Sequence, residues 1–390
     1  MRHVLVAVAT FLLGACTSLP TVRNAPSLFH DDAFKPASVP IDAEAVFALS
    51  RPMRQYLEGE IAQRLRAEGS RLGLIDALQD SGRLNLEYDS SITRNASEAF
   101  EAHTGNCMSL VILTSALARE LGLEVQFQQV LRERVMSRDG DLVFYNGHVN
   151  VVLIEHRRKD GVMKDRKTAA VIDFLRTPER SRQRVKMVSR ETVIAMYMNN
   201  RAAEEIAAGR IDNAYWWARA AIKQESRYTD TYNTLGVIYR RRGALEPAAT
   251  ALEFALQLEP GNTTAMSNVI PVLKDLGRTR DAERWSVRLS ELQAFAPFQF
   301  FDQGQAAMQR GDFAQASKLF AKEIERAAYY HEFHYWLAMA ALGLRDTKLA
   351  RKHFTIARDN ATTRADAATY QEALNALGPA DKNSLIDRLR

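Results

Sequence analysis

Thiol catalysis needs three groups: a cysteine held as thiolate, a histidine that takes and returns a proton, and a third side chain that fixes the imidazole. The chain offers one set in a workable order. Cys107 follows Gly105-Asn106 and opens a stretch, Met108 to Leu121, that is apolar nearly all round. Such a stretch reads as a buried helix. Its first N–H groups and positive dipole end favour a thiolate at Cys107 and could hold a developing oxyanion. His148 opens a valine-rich run to His156, and Asp173 lies in a further apolar run, Ala169 to Leu175. Both runs read as strands, and adjacent strands can set a histidine beside an aspartate. Gln128 or Gln129, in the run Val125 to Val130, is a candidate second oxyanion donor.

The other candidates are weaker. His103 stands four residues before Cys107, but Gly105 between them disfavours a helix that would carry both on one face. His156 ends its run beside Arg157-Arg158 and reads as solvent-exposed; His331, His334 and His353 read as packing or surface residues. No His/Cys/Asp/Glu set has metal-ligand spacing and no glycine-rich loop precedes a helix, so no metal or nucleotide cofactor is expected. The only other cysteine is Cys16. If that residue is modified, Cys107 has no partner in the chain. It is then either a small buried apolar residue or a retained reactive thiol.

The elements that must position these residues follow from the pattern along the chain. Met1-Arg2-His3, an apolar run Val4 to Leu13 and Leu13-Gly14-Ala15-Cys16 resemble a bacterial lipobox. The resemblance implies a signal peptide at 1–15, lipid on Cys16 and a membrane anchor, with Thr17 favouring the outer membrane facing the periplasm. Residues 16–40 hold Pro20, Pro26, Pro36 and Pro40 with few apolar clusters, and read as a tether. Residues 41–190 read as an α+β domain: helices up to about Leu86, a short helix from Thr93 to Ala102, the buried helix, then three antiparallel-type strands punctuated by Arg138-Asp139-Gly140-Asp141 and Lys159-Asp160-Gly161. The 52 Lys and Arg against 47 Asp and Glu are spread along the chain without a basic stripe interleaved with aromatics, so nucleic acid is not an expected partner.

The C-terminal half is periodic. Over 195–364, five units begin near Ala195, Thr229, Thr263, Pro297 and His331. Their twentieth places read Ala214, Ala248, Ala282, Ala316 and Ala350; their eighth places read Ala202, Gly236, Ile270, Gly304 and Ala338. Tyr232, Leu235, Gly236, Tyr239, Ala248, Leu252, Ala255 and Pro260 stand where a tetratricopeptide repeat wants them, so the region resembles an all-α solenoid of that family. Ile270, Pro271 and Glu323 depart from the pattern and imply less regular packing in the third and fourth units. Residues 365–390 read as a capping helix.

Gly105-Asn106-Cys107, Ala118-Arg119-Glu120-Leu121-Gly122-Leu123, His148-Val149-Asn150-Val151 and Val171-Ile172-Asp173, in this order, resemble the bacterial transglutaminase-like superfamily, a papain-related group, over about Thr93 to Leu175. The resemblance implies Cys107 as nucleophile, His148 as general base and acid, and Asp173 as its orienting partner. The expected activity is acyl transfer or hydrolysis at an amide, by a cysteine peptidase, amidase or transglutaminase-like enzyme. The alternative is a non-catalytic binding or scaffold lipoprotein. Resemblance to the repeat family implies a concave wall that binds a protein or peptide, with Asn233, Arg240, Arg241, Lys274, Phe301 and Tyr335 on it.

Overall fold

The computed structural model describes residues 28–79, 84, 86–89, 92–139, 142–157, 166–174, 184–292, 295, 298–361 and 363–378, with the side chains of 87, 131–147 and 156–168 excepted. Residues 1–15, expected to be a signal peptide, Cys16 and residues 379–390 lie outside the described residues.

An α+β unit comes first. Helix α1 (Arg51–Gln55) runs into a π-helical turn at Tyr56–Glu60 and is followed by α2 (Ala62–Glu68) and α3 (Ser70–Gln79). Strand β1 (Glu87–Tyr88) pairs in parallel with β2 (Thr104–Gly105), and α4 (Ala96–Ala102) stands between them in the chain. In α4 the Asn95 side chain accepts from Glu98 N and Glu98 reaches back to Asn95 N, a reciprocal cap. Helix α5 (Cys107–Glu120) buries every residue from Met108 to Ala118, as its uniform apolarity demands. An antiparallel sheet of β3 (Glu124–Asp139), β4 (Leu142–Arg157), β5 (Arg166–Ile172) and β6 (Val185–Val188) runs in the order β5-β4-β3-β6. Phe127, Val149, Val151 and Leu153 from the sheet share an apolar cluster with Val111, Ile112 and Leu117 of α5.

Three features of this unit differ from the sequence reading. Strands β3 and β4 are 16 residues each, longer than the apolar runs. Pairing resumes beyond a bulge between Val130 and Arg134, because a ladder needs backbone hydrogen bonds and not apolar side chains. Strand β6 has no counterpart in the reading; its side chains are mostly exposed and its apolar content is short. Asp173 comes directly after β5 and not within it.

The helical array starts at Arg190, where Ser189 caps α6 (Arg190–Ala207) by accepting from Thr192 N at 3.1 Å. Then follow α7 (Ile211–Gln224), α8 (Thr229–Arg242), α9 (Leu245–Leu258), α10 (Thr263–Asp275), α11 (Thr279–Leu292), α12 (Gln299–Gln309), α13 (Phe313–Arg326), α14 (His331–Gly343), α15 (Thr347–Asp359) and α16 (Arg364–Ala376). The second helix of each pair begins at 211, 245, 279, 313 and 347, a constant step of 34 residues. The alanine column Ala214, Ala248, Ala282, Ala316 and Ala350 is wholly buried. The eighth place is as tight: a Cβ on Gly236 would lie 2.4 Å from Leu252 Cγ, and one on Gly304 2.5 Å from Phe320 Cε1. The chain therefore contains a tetratricopeptide-like helical array built of stacked hairpins.

The array is interrupted where the sequence departs from the pattern. Its apolar core ends at Ala282, and a separate one begins at Phe298. Helix α10 carries Pro271, and α11 buries only Ala282. Glu323, in an alanine place, is fully buried; it accepts from Phe300 N at 2.9 Å and pairs with Arg326 at 3.2 Å, so it satisfies the start of α12.

Residues 28–40 are not a free tether. Leu28 and Phe34 are buried, and the segment lies along α7 and α8. Phe34 stacks on Tyr215 with centroids 3.9 Å apart. Asp31 takes Tyr215 Oη at 2.6 Å on one oxygen and Arg219 at 2.7 Å on the other. Tyr239 Oη donates to the Leu28 carbonyl, Arg242 to that of Ala33 and Trp216 Nε1 to that of Lys35. Of the prolines that read as linker residues, Pro36 and Pro40 lie in this strap, and neither has an N–H to satisfy.

Candidate active site

Gly105 and Asn106 set the position of Cys107. A Cβ on Gly105 would lie 2.5 Å from Ser109 Cβ, so only glycine lets the chain turn this closely onto α5. Asn106 caps α5 by accepting from Ser109 N at 2.9 Å, while its Nδ2 donates to Thr93 Oγ1 at 2.8 Å. Ser109 Oγ, fully buried, donates to Asn106 Oδ1 at 2.9 Å and accepts from Arg94 N at 2.8 Å. Cys107 is therefore the first residue of a helix whose cap is tied to the loop before α4. It is half-buried, and it is the free cysteine among the described residues.

His148 lies where β4 pairs with Val130, at the edge of the bulge. Extending the register of β4 with β5 by one residue sets Asp173 opposite Asn150, two residues from His148 on the same face. The contact is made: His148 Nε2 and Asp173 Oδ1 are 2.9 Å apart, with both side chains almost completely enclosed. The ring nitrogen left over is Nδ1, which is buried without a hydrogen bond of good geometry. The Cys107 thiol is near enough to act on the imidazole. Burial depresses the His148 pKa, but the bond to Asp173 and then the proximity of Cys107 outweigh it and raise the value to about 10. At neutral pH the imidazole is thus a buried cation between a carboxylate and a thiol.

Tyr88 joins this group without having been expected. Its strand pairs it with Gly105, two residues before Cys107. Burial pushes its phenol well above the ordinary range; the Cys107 sulfur adds to the rise, and the Cys107 backbone, bonded to the phenol oxygen, opposes it. The alternation Leu84, Leu86, Tyr88 is the signal that could have marked a strand here. Asn150 is a second unforeseen neighbour: it shares the His148 face, is buried, and its Oδ1 makes no hydrogen bond. By register Gln128 lies opposite Asn150 on that face, whereas Gln129 opposes Val149 on the other.

The remaining sequence candidates are placed elsewhere. His103 ends α4 in the left-handed region (φ 53) with its ring edge-on to Phe100. The His156 side chain lies outside the described residues. On the array, Arg240 and Arg241 are exposed in the last turn of α8, and Lys274 is exposed in that of α10. Asn233 is half-buried and accepts from Asn268 Nδ2 at 2.8 Å. Tyr335 is half-buried beside Tyr370, with centroids 5.1 Å apart. Phe301 is not on the wall: it is buried among Phe298, Phe320, Phe333 and Trp336, because the second core needs a large ring there.

No family model matches the chain, and no curated protein matches it in sequence. Among solved structures, MamA is 18% identical and covers 45% of this chain and 94% of its own, with a TM-score of 0.25. YrrB, described as a tetratricopeptide protein with an unusual peptide-binding site, gives 18%, 46% and 92% with a TM-score of 0.25. A thermophilic tetratricopeptide protein of Thermus thermophilus gives 15%, 46% and 98% with a TM-score of 0.28. Likeness at this level carries no argument, and the repeat architecture rests on the helix spacing and the alanine column.

Proposed function

We propose that the chain is a protein-binding scaffold, lipid-anchored in the bacterial envelope through Cys16, whose α+β unit performs acyl transfer at an amide through Cys107, His148 and Asp173. The observation that carries the chemistry is the enclosed 2.9 Å bond from His148 to Asp173, with the thiol as the imidazole's other neighbour. A cationic imidazole beside sulfur is the setting in which the nucleophile exists as thiolate. Its Sγ adds to the amide carbon, and the oxygen that gains charge is held by the N–H groups opening α5. Collapse breaks the C–N bond as His148 gives its proton to the leaving amine, which leaves a thioester on Cys107. His148, now neutral, takes a proton from water or an incoming amine, whose attack frees the thiol.

Asp173 keeps the ring turned toward Cys107. The helical array supports a second reading, a scaffold that recognises a peptide without turnover. Exposed Arg240, Arg241 and Lys274 suit a protein or peptide partner with carboxylates.

Alkylation by iodoacetamide tests the centre. Cys107 is expected to react at pH 7 at least tenfold faster than free cysteine, and His148→Ala to abolish the excess. Equal rates in both proteins reject acyl transfer. A fast thiol without turnover of any amide or amine substrate favours the scaffold reading.

A further inference from the structure

The first repeat helix reaches into the thiol unit. Glu204 of α6 accepts from the backbone N–H of Thr93 at 2.7 Å, and Arg201, one turn earlier, donates to the Thr93 carbonyl at 3.1 Å. The two side chains also pair with each other at 3.1 Å. Arg201 in turn lies over the Trp217 ring of α7, 5.8 Å from its centroid. Thr93 is almost wholly buried, and it is the residue whose hydroxyl takes the Asn106 amide. The path from the array to the thiol is therefore a short run of hydrogen bonds: Glu204 and Arg201 to the Thr93 backbone, the Thr93 side chain to Asn106, and Asn106 to the N–H of Ser109, the third residue of α5.

Each bond has a directional consequence. A peptide unit gripped at both its N–H and a flanking carbonyl cannot rotate, so the Thr93 hydroxyl is presented in one place. That hydroxyl fixes the Asn106 amide, leaving its Oδ1 aimed at Ser109 N as helix cap. Burial raises the Glu204 carboxyl's pKa, and the Thr93 bonds and Arg201 oppose that rise. The adjacent Glu205 points the other way along the array, to Arg210 at 2.6 Å and to Asn213, which holds Ser38 of the strap.

We propose that Arg201 and Glu204 are positioning residues for Cys107, so that the first repeat is a structural part of the thiol centre and not an appended module. This rests on the acyl-transfer reading for its chemical meaning. In it, the array's first helix sets the angle at which α5 begins, and with it the distance of Cys107 from His148. A partner that shifts α6 changes thiol reactivity without touching the sulfur.

Two measurements on the full chain test this: the iodoacetamide rate at Cys107, and hydrogen exchange at the amides of Ser109 and Leu110. Glu204→Ala is expected to slow alkylation at least tenfold and to speed exchange at those amides by a similar factor. Glu204→Gln keeps an oxygen for Thr93 N–H and is expected to restore most of both. Arg278→Ala, which removes a comparable ion pair with Glu253 and Asp281 further along the array, leaves both unchanged. If Glu204→Ala does not fold, Arg201→Lys gives the same readouts, because lysine keeps the charge but cannot reach Thr93 and Glu204 together. Wild-type exchange at Ser109 and Leu110 in folded Glu204→Ala or Arg201→Lys overturns the proposal. A wild-type thiol no faster than free cysteine instead overturns acyl transfer, and the exchange result still decides the positioning.

Discussion

Lowering the pH from 7 to 5 is expected to loosen the last repeat through one pair of histidines. His334 Nε2 lies 2.9 Å from the Ala328 carbonyl, so it carries a hydrogen and Nδ1 is an acceptor. His353 Nδ1 faces that acceptor at 2.9 Å and must supply the hydrogen between them. A second proton on His334 would go to Nδ1 and point two N–H groups at each other, and one on His353 would place a cation in a buried site. Burial first, then His334 and Lys352, lower His353 from 6.5 to about 4; burial also lowers His334 and the neighbouring His331, whose Nδ1 meets Tyr370 Oη and which Asp366 faces.

A base whose folded pKa lies below its unfolded value gives full stability above the unfolded pKa and loses it as pH falls toward the folded one. At pH 5 the unfolded ring is mostly protonated and the folded ring is not, so His353 alone removes about 2 kcal/mol. The ring is only 8% exposed, so solvent screening takes little from that figure. Repeats contact only their neighbours, so the loss should appear as local opening of α14 to α16. Hydrogen exchange corrected for intrinsic rates is the assay. Wild-type protection in α14 and α15 should fall roughly 20-fold from pH 7 to pH 5. His353→Gln keeps a donor for His334 but does not titrate, and should lose clearly less than the wild type. Equal losses in the two proteins would refute the pairing.

Asp173→Asn removes the carboxylate that holds the imidazolium, and Cys107 alkylation at pH 7 should fall by about 10²-fold, with Asp173→Glu recovering part of it. Gly304→Ala forces a methyl 2.5 Å from a buried ring and should destabilise the second core by about 1–3 kcal/mol in urea melts, whereas Gly59→Ala, with nothing within 4 Å, should be neutral or better. Phe34→Ala removes the stacked ring of the strap; limited proteolysis should then cut within 28–40 while the array remains intact, at a cost of about 3 kcal/mol.

The array was legible because its physics is periodic. A place where two helix backbones meet admits only small residues, and that demand recurs as Ala214, Ala248, Ala282, Ala316 and Ala350. The His148–Asp173 contact was legible for a related reason: strand pairing turns sequence order into a short distance. What the residues did not announce was set by groups that answer to the backbone. Tyr88 acts through a two-residue strand whose only mark is the short alternation Leu84, Leu86, Tyr88, and Thr93 acts through its own N–H and carbonyl. The strap reads as a linker because its hydrophobic content is sparse; its stability comes from carbonyls and Asp31 meeting side chains nearly two hundred residues away. Phe301 falls on the binding wall by analogy of position alone, and the break after Ala282 forces the following helices to build their own aromatic core around it.

The strap also sets a length. With a lipid on Cys16, only the eleven residues 17–27 separate the anchor from Leu28, whose carbonyl is already held by Tyr239. Fully drawn out, they reach roughly 40 Å. A leash of 25 residues, as a free 16–40 segment would be, would let the protein sweep about twice that depth. On the proposed anchoring, the folded body would work in a thin layer over the bilayer, held to its leash by the first two repeats. A substrate of the proposed chemistry would then have to come within that layer, as membrane proteins, other lipoproteins or polymers lying close to the surface do.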